Sequence, residues 1–593
     1  MPVEQLPIVT KFNEQRFKQF SPENSANWSQ VEDPTGKRST AAYPVIGRKH
    51  ITVANENKLI FEAEPRAIFR SIDFVYIVVG SVVNRVDKNF NVAQLNNSDF
   101  NRSSGEIFAD YLVFADNVYV MLADSVERKL FVINENTNQM ITVTDTQAPQ
   151  SPKYVAAFGN RFVVSNDESS QWYLSTINLG GSGFDATTAL TCFQPVGSSP
   201  VFNYASGQIQ QITTLHNQLY IFNDFSCDIW MNIPSVFDDG TTKTTFPFKL
   251  NTSYNFDYGM ADALTLDVDF GRMTWLGRNR NGLVAFMTSD GGKPTIISTQ
   301  AVNTLIQRTA NELEGLNPFL TLKANGFMYQ YENTIFYRVS AGNFLDYGDL
   351  DITNSANSLE YNFNTNSWHR CIELNGERSR IQKHVFFNNK HLVTVSDQSV
   401  VYEAGGNIYI NELQNPSQDD PQAADAFIPY PMRYEAITQI YSQADYSEFI
   451  TDYVEIDFVF GEDAFYRGTM PFENTVYIID EEATEDGEPI YLLTEDGDFI
   501  IEEGTNTPII GSDHYDKLFK PHVELYWSDD GGVTFTSADV REFSRIGVYR
   551  YRMRWYQLGP SRNRCYKLVC VSPSPMVLLG AVQNVRRASG GAN

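Results

Sequence analysis

The feature that most constrains this chain is a recurring punctuation. Between residues 49 and 435, apolar runs of four to seven residues alternate with short corners of Asn, Asp and Gly, as in YVAAFGNRFVVSND, TLHNQLYIFND and KHVFFNNKHLVTVSD. Runs of that length suit strands and are too short for most helices. The corners Ala115-Asp116 with Asn117, Gly159-Asn160, His216-Asn217 and Asn388-Asn389 suit two-residue hairpin turns, because Asn and Gly tolerate positive φ.

Many short strands at even spacing imply a sandwich, barrel or propeller. A loose unit recurs at 158–167, 216–224 and 387–397: strand, Asn or Gly turn, strand, polar corner. Its starts follow no single period, yet the pattern favours radial repetition. The expected fold class is therefore mainly β: a β-propeller-like body with an additional β tip or extension domain. One helix is predicted within 298–314, with Val302, Leu305 and Ile306 near one face.

Four segments are expected. Residues 1–48 form an irregular docking arm, because prolines at 2, 7, 22, 34 and 44 leave little room for long elements. Residues 49–435 form the body, 436–520 an acidic β extension, and 521–593 a C-terminal β element that packs back on the body. Charge is divided unevenly. Residues 445–516 hold 21 Asp and Glu against Arg467 alone, whereas 541–593 hold nine Arg and one Lys against Glu542. In GVYRYRMRWYQLG, Tyr549, Tyr551, Met553 and Trp555 alternate with Arg550, Arg552 and Arg554, so one face packs and the other shows guanidiniums. Arg550, Arg552, Arg554 and Trp555 are candidate interface residues; the alternative for the arginines is pairing with the many acids of the same chain.

The net charge of −27 argues against sequence-reading contact with nucleic acid. The five cysteines, at 192, 227, 371, 565 and 570, are few, scattered and odd in number, which predicts free thiols in a reducing compartment. MPVEQLPIVTKF has no basic region followed by a long apolar run, so no signal peptide is expected. The longest apolar runs are of strand length, so no membrane anchor is expected either.

Motifs for catalysis are sparse. There is no HExxH, paired CxxC, GxSxG elbow or phosphate-binding GxxxxGK[ST]. His514 with Asp513 and Asp516 has generic spacing for a divalent ion. Cys565 and Cys570 read as buried structural residues. The segment VELYWSDDGGVTFTS carries Ser528, Asp530, Gly532 and Phe535 in the order S-x-D-x-G-x-x-aromatic. This resembles the Asp-box of sialidases, in which the Asp binds backbone N–H groups, the Gly permits the bend and the ring closes the packing. The four residues are expected to form a structural turn. No enzyme activity, metal or cofactor is expected.

Several stretches together resemble the packaged-DNA stabilisation, or tail accessory, proteins of short-tailed phages of the P22 type. They are Met1 to Pro7, Phe327-Met328-Tyr329, Leu359 to Asn362, Ser367 to Arg370, Glu524 to Gly532, Gly547-Val548-Tyr549, Arg554 to Gly559, and Ala581. The resemblance implies a non-catalytic virion protein, assembled in the host cytoplasm, that forms a ring (a homohexamer) as a tail nozzle. Such a ring extends the DNA channel below the portal and its adaptor, stabilises packaged DNA and supports genome ejection. Implied partners are other copies of the chain, the portal adaptor, tail fibre, spike or needle proteins, and double-stranded DNA passing without sequence-specific binding. Glu481, Glu482, Glu485 and Asp486 are candidate channel-lining residues, since negative walls repel phosphate. A solvated outer face is the alternative for these acids. The alternative function is a carbohydrate-binding β-propeller or a host-surface-binding tail protein.

Overall fold

The computed structural model describes residues 3–32, 40–114, 116–176, 184–194, 202–238, 243–252, 255–307, 324–341, 357–415, 420–423, 426–460, 521–542 and 550–587. The chain forms two compact units. One comprises Met1–Lys49, Ser367–Glu377 and Gly405–Asn593; the other comprises His50–Asn366 and Arg378–Ala404.

In the second unit the short apolar runs become antiparallel meanders. Pro65–Arg70, Val75–Val79, Val82–Val86 and Val92–Leu95 form one four-stranded sheet, and Ile107–Phe114 to Gln139–Thr142 form the next. The inner strand Val75–Val79 is apolar on both faces, and every one of its residues is buried. Three of the four expected hairpin corners are present; Ala115 of the fourth lies outside the described residues. Gly159 and Asn160 both have φ of 58°, His216 and Asn217 have 48° and 58°, and Asn388 and Asn389 have 46° and 61°. The same backbone recurs at Phe270-Gly271 and Glu332-Asn333, where the residue types gave little warning. Polar corners at strand ends are closed by side chains: Asn134 Oδ1 accepts from the N–H groups of Asn136 and Thr137, and Asn223 Oδ1 from those of Phe225 and Ser226. Residues 300–307 are helical, with Val302 and Ile306 buried and Thr299 Oγ1 accepting from Val302 N–H.

The expected β-propeller-like body is corrected by the dominant sheet. A propeller is assembled from separate small sheets. Here the largest sheet has fifteen strands, and eleven of them follow one path from Ala324–Tyr331 to Ile381–Phe387. These end strands pack together, with Phe327 stacked on His384 at 5.3 Å between ring centres. The path thus closes into a near-complete barrel. The mainly β character stands; the propeller architecture does not.

Polar side chains tie neighbouring strands of the second unit. Arg66 donates to the carbonyls of Gly80, Ser104, Gly105 and Arg102 and to Asp124 Oδ2. The Asp124 side chain is fully buried. Asp110 Oδ2 accepts from Ala157 N–H at 2.8 Å, and Asp267 Oδ2 from Met328 N–H at 2.5 Å. Desolvation raises both carboxyls to about 6 despite these bonds.

The first unit is built around a six-stranded sheet. Its order is Trp28–Glu32, Thr40–Pro44, Met576–Arg587, Phe449–Phe460 and Arg550–Ser561, with Val3–Leu6 also paired to Met576–Arg587. A second group of strands pairs Asn563–Ser572 with Phe427–Ile437 and with His522–Ser528. Between them lies a core that includes Trp28, Tyr434, Ile456, Leu525, Trp555 and Leu568. The N-terminal arm therefore supplies short strands and a core tryptophan, whose Nε1–H donates to Met576 O at 2.9 Å.

Arg66→Met leaves the buried Asp124 carboxylate without its cation and should cost about 3 kcal/mol in denaturant unfolding; a loss under ~1 kcal/mol would show the clamp to be dispensable. For Asp110 and Asp267 the folded pKa lies above the unfolded value near 3.9. Their contribution is thus fully present below that value and is lost as pH rises through about 6. Asp110→Asn with Asp267→Asn should stabilise the protein at pH 7 and have little effect at pH 4. Equal shifts at both pH values would contradict this.

Candidate functional site

The strand His522–Ser528 alternates buried and half-buried residues, with Val523 and Leu525 in the core. It must then turn within a few residues. Asp530 makes the turn: its carboxylate accepts from the N–H groups of Val533 and Thr534 and from the hydroxyls of Ser528 and Thr534. Ser528 Oγ in turn accepts from Gly532 N–H at 2.8 Å. Gly531 and Gly532 have φ of 79° and 86°. A Cβ on Gly532 would lie 2.7 Å from Pro22 Cβ, so glycine is required there by both backbone and space. Thr536 closes the corner through two bonds with the Trp527 backbone. Phe535 is half-buried. The bonds from Thr534 and Ser528 hold the Asp530 carboxyl well below its usual range.

Asp529 has a different task that spacing did not indicate. Its two oxygens accept from Arg564 Nε at 2.7 Å and Nη2 at 2.9 Å. The Arg564 side chain is only 1% exposed, and it also donates to the carbonyls of Gly559 and Pro560. The adjacent acids therefore divide the labour: one shapes the turn, the other neutralises a buried cation. Neither is left as an open acid pair. Cys565 and Cys570 are buried and free.

The arginine strand alternates as its sequence indicates. In Arg550–Ser561, Arg550, Arg552 and Arg554 are exposed while Met553 and Trp555 are buried. Trp555 lies in the core and offers no surface to a partner; its Nε1–H donates to Asp539 O at 3.2 Å. The arginines face acids on the paired strand Phe449–Phe460. Arg550 binds Asp457 through Nε at 2.9 Å and Nη2 at 2.5 Å, and Arg554 binds Glu455 and covers the Tyr453 ring at 4.4 Å. Arg552 is the least engaged, 3.6 Å from Asp457 with its side chain 59% exposed. Arg586 meets Asp452 at 2.9 Å. The register Glu455 to Arg554 and Asp457 to Arg552 makes one face a two-signed charge ladder. The sequence signal was available in Asp452, Glu455 and Asp457, but their partners depend on a pairing almost one hundred residues distant.

Glu481, Glu482, Glu485 and Asp486 lie outside the described residues, as do His514, Asp513 and Asp516. The second unit brings together two other histidines. His384 Nε2 and His391 Nδ1 are 2.9 Å apart, and desolvation, His391, Arg70 and Arg338 push His384 well below its ordinary value. They are a neutral imidazole pair sharing one hydrogen bond.

No family model matches the chain, and no curated protein matches it. Among solved structures, it has likeness to virginiamycin B lyase from Staphylococcus aureus with quinupristin, at 8% identity over 61% of this chain and 99% of that one, with a TM-score of 0.32. It also has likeness to hydrazine synthase from Kuenenia stuttgartiensis, at 10% identity over 47% of this chain and 70% of that one, with a TM-score of 0.25. Likeness at TM-scores and identities this low carries no functional inference.

Asp529→Asn should destabilise the first unit by about 2 kcal/mol, because Arg564 keeps its burial and loses its charge partner. Asp530 has a depressed folded pKa, so its stabilisation is present above the unfolded value near 3.9 and is lost as pH falls through the lower folded value. Thermal melts should show Asp530→Asn weakening the protein at pH 7 and the difference shrinking as pH falls below about 4. A difference independent of pH would place the effect elsewhere.

Proposed function

We propose that this chain is a structural subunit of a short-tailed phage tail. It assembles as a ring, a homohexamer, that forms a nozzle extending the DNA channel below the portal and adaptor, stabilises packaged DNA and supports genome ejection. The observation that carries the reading is the charge ladder of the first unit. Arg550, Arg552, Arg554 and Arg586 stand outward among Asp452, Glu455 and Asp457. Three of these arginines are paired within the chain, and Arg552, the least engaged, is the rung placed to meet an acid on a neighbouring subunit.

Two further features agree with a scaffold. Asp529 and Asp530 of the Ser528–Phe535 turn are consumed by an ion pair and internal hydrogen bonds. The net charge of −27 also suits a protein that DNA passes without being held, since counterion-release binding needs clustered cations. The proposed partners remain the portal adaptor and the tail fibre, spike or needle proteins.

Native mass measurement and electron microscopy of the protein, alone and with its portal assembly, test this. A closed ring is expected; a monomer that never joins the portal assembly would overturn the reading. Arg552→Glu should weaken ring assembly about tenfold, because it reverses the arginine least engaged within the chain. Rings that form as well as before would remove this face from the interface.

A further inference from the structure

The N-terminal arm carries a surface that the ring reading does not use. Residues 13–23 form a closed loop: Asn13 N–H donates to Glu23 O, Gln15 N–H to Ser21 O, and Phe20 N–H to Phe17 O. The loop is rooted by Phe12, which is buried and donates its N–H to Trp368 O at 2.7 Å. Its flank rests on the acidic turn, where a Cβ on Gly531 would lie 3.1 Å from Gln19 Cα. At the tip, Arg16, Phe17, Lys18, Gln19 and Phe20 are all exposed. Phe17 is 66% and Phe20 82% exposed. Exposed large rings are costly in water, and two within four residues on a braced loop are unusual.

Their surroundings indicate what they meet. Lys11, Arg16 and Lys18 stand against Glu14 alone between residues 11 and 20, in a chain whose net charge is −27. The Arg16 guanidinium lies 5.7 Å from the Phe17 ring centre, and Lys18 reaches Glu14 at only 3.5 Å. The tip presents five consecutive exposed residues on a short turn. Nucleic-acid strands bind in basic grooves where bases stack in succession. A knob of two phenylalanines flanked by cations fits the boundary of an anionic bilayer instead, with rings in the acyl zone and cations at the headgroups.

We propose that the loop tip Arg16–Phe20 is a peripheral contact for an anionic lipid surface. Phe17 and Phe20 enter the interface, and Arg16 and Lys18 hold the headgroup phosphates. The contact is weak for one chain and is multiplied wherever several copies face the same surface.

The test is flotation of the full chain with vesicles of equal parts phosphatidylglycerol and phosphatidylcholine, and with phosphatidylcholine alone. Binding to the anionic vesicles only, weakening with added salt, is expected. Phe17→Ser with Phe20→Ser should reduce it at least about tenfold by removing the buried apolar area. Arg16→Glu with Lys18→Glu should reduce it about tenfold or more, while Lys293→Glu, exposed elsewhere, should leave it unchanged. Unaltered melting temperatures separate these effects from misfolding. No vesicle binding at low salt overturns the proposal, as does vesicle binding indifferent to both phenylalanines. Capture of a single-stranded oligonucleotide in place of vesicles, lost in the same variants, overturns it in favour of nucleic acid. None of these outcomes depends on whether the chain forms a ring.

Discussion

Every short strand in this chain has to turn back within a few residues without burying an unpaired backbone N–H. That requirement governs the rest of the structure. Buried backbone polar groups must be paired, and a chain with so many strand ends has many groups at risk. Asn and Asp side chains answer locally. Asn134, Asn223 and Asn362 each accept from the N–H groups two and three residues on, and Asp530 accepts from those three and four residues on at the corner of the first unit. Asn, Gly and occasional other residues hold the positive φ that the hairpins need. Once each corner is closed within itself, the strands are free to carry apolar residues on both faces, and the sheets can pack.

This local solution explains what was legible in the sequence. A hairpin is written in adjacent residues, so Gly159-Asn160, His216-Asn217 and Asn388-Asn389 could be read directly. Phe270-Gly271 and Glu332-Asn333 could not, because Phe and Glu are poor residues for positive φ and occupy it only where the flanking strands impose the turn. The larger architecture is not written locally. Short strands with even corners are compatible with separate sheets or with one long ladder. Distant pairings decided for an eleven-strand path that nearly closes, and the propeller expectation failed there. The arm shows the same limit. Its prolines leave room only for short elements, and nothing near Val3–Leu6 announces that it pairs with Ala581–Asn584.

The site was legible to a similar depth. Alternation placed Arg550, Arg552 and Arg554 on one face and Met553 on the other, because strand period is a property of the strand alone. The same rule should have removed Trp555 from any interface set, since it shares the parity of Met553. The carboxylates opposite the arginines required the register of Phe449–Phe460, which is non-local. Asp529 was hidden for a related reason: its partner Arg564 lies on the paired strand Asn563–Ser572, and only that pairing distinguishes it from its neighbour Asp530.

The distribution of cations bears on how such a chain meets a polyanion. Arg48, Arg338 and Arg564 are among the largest fully buried side chains, and each is held by a carboxylate: Glu373, Glu360 and Asp529. Burying a paired cation and anion leaves the net charge unchanged but removes a positive group from the surface. Further arginines on the outward sheet face are committed to Asp457, Glu455 and Asp452. Among the described residues, the surface therefore offers fewer available cations than composition alone indicates. Phosphate binding by counterion release needs several free cations in one place. Using them as structural clamps and ladder rungs holds the fold together and, by the same act, leaves little with which to grip DNA.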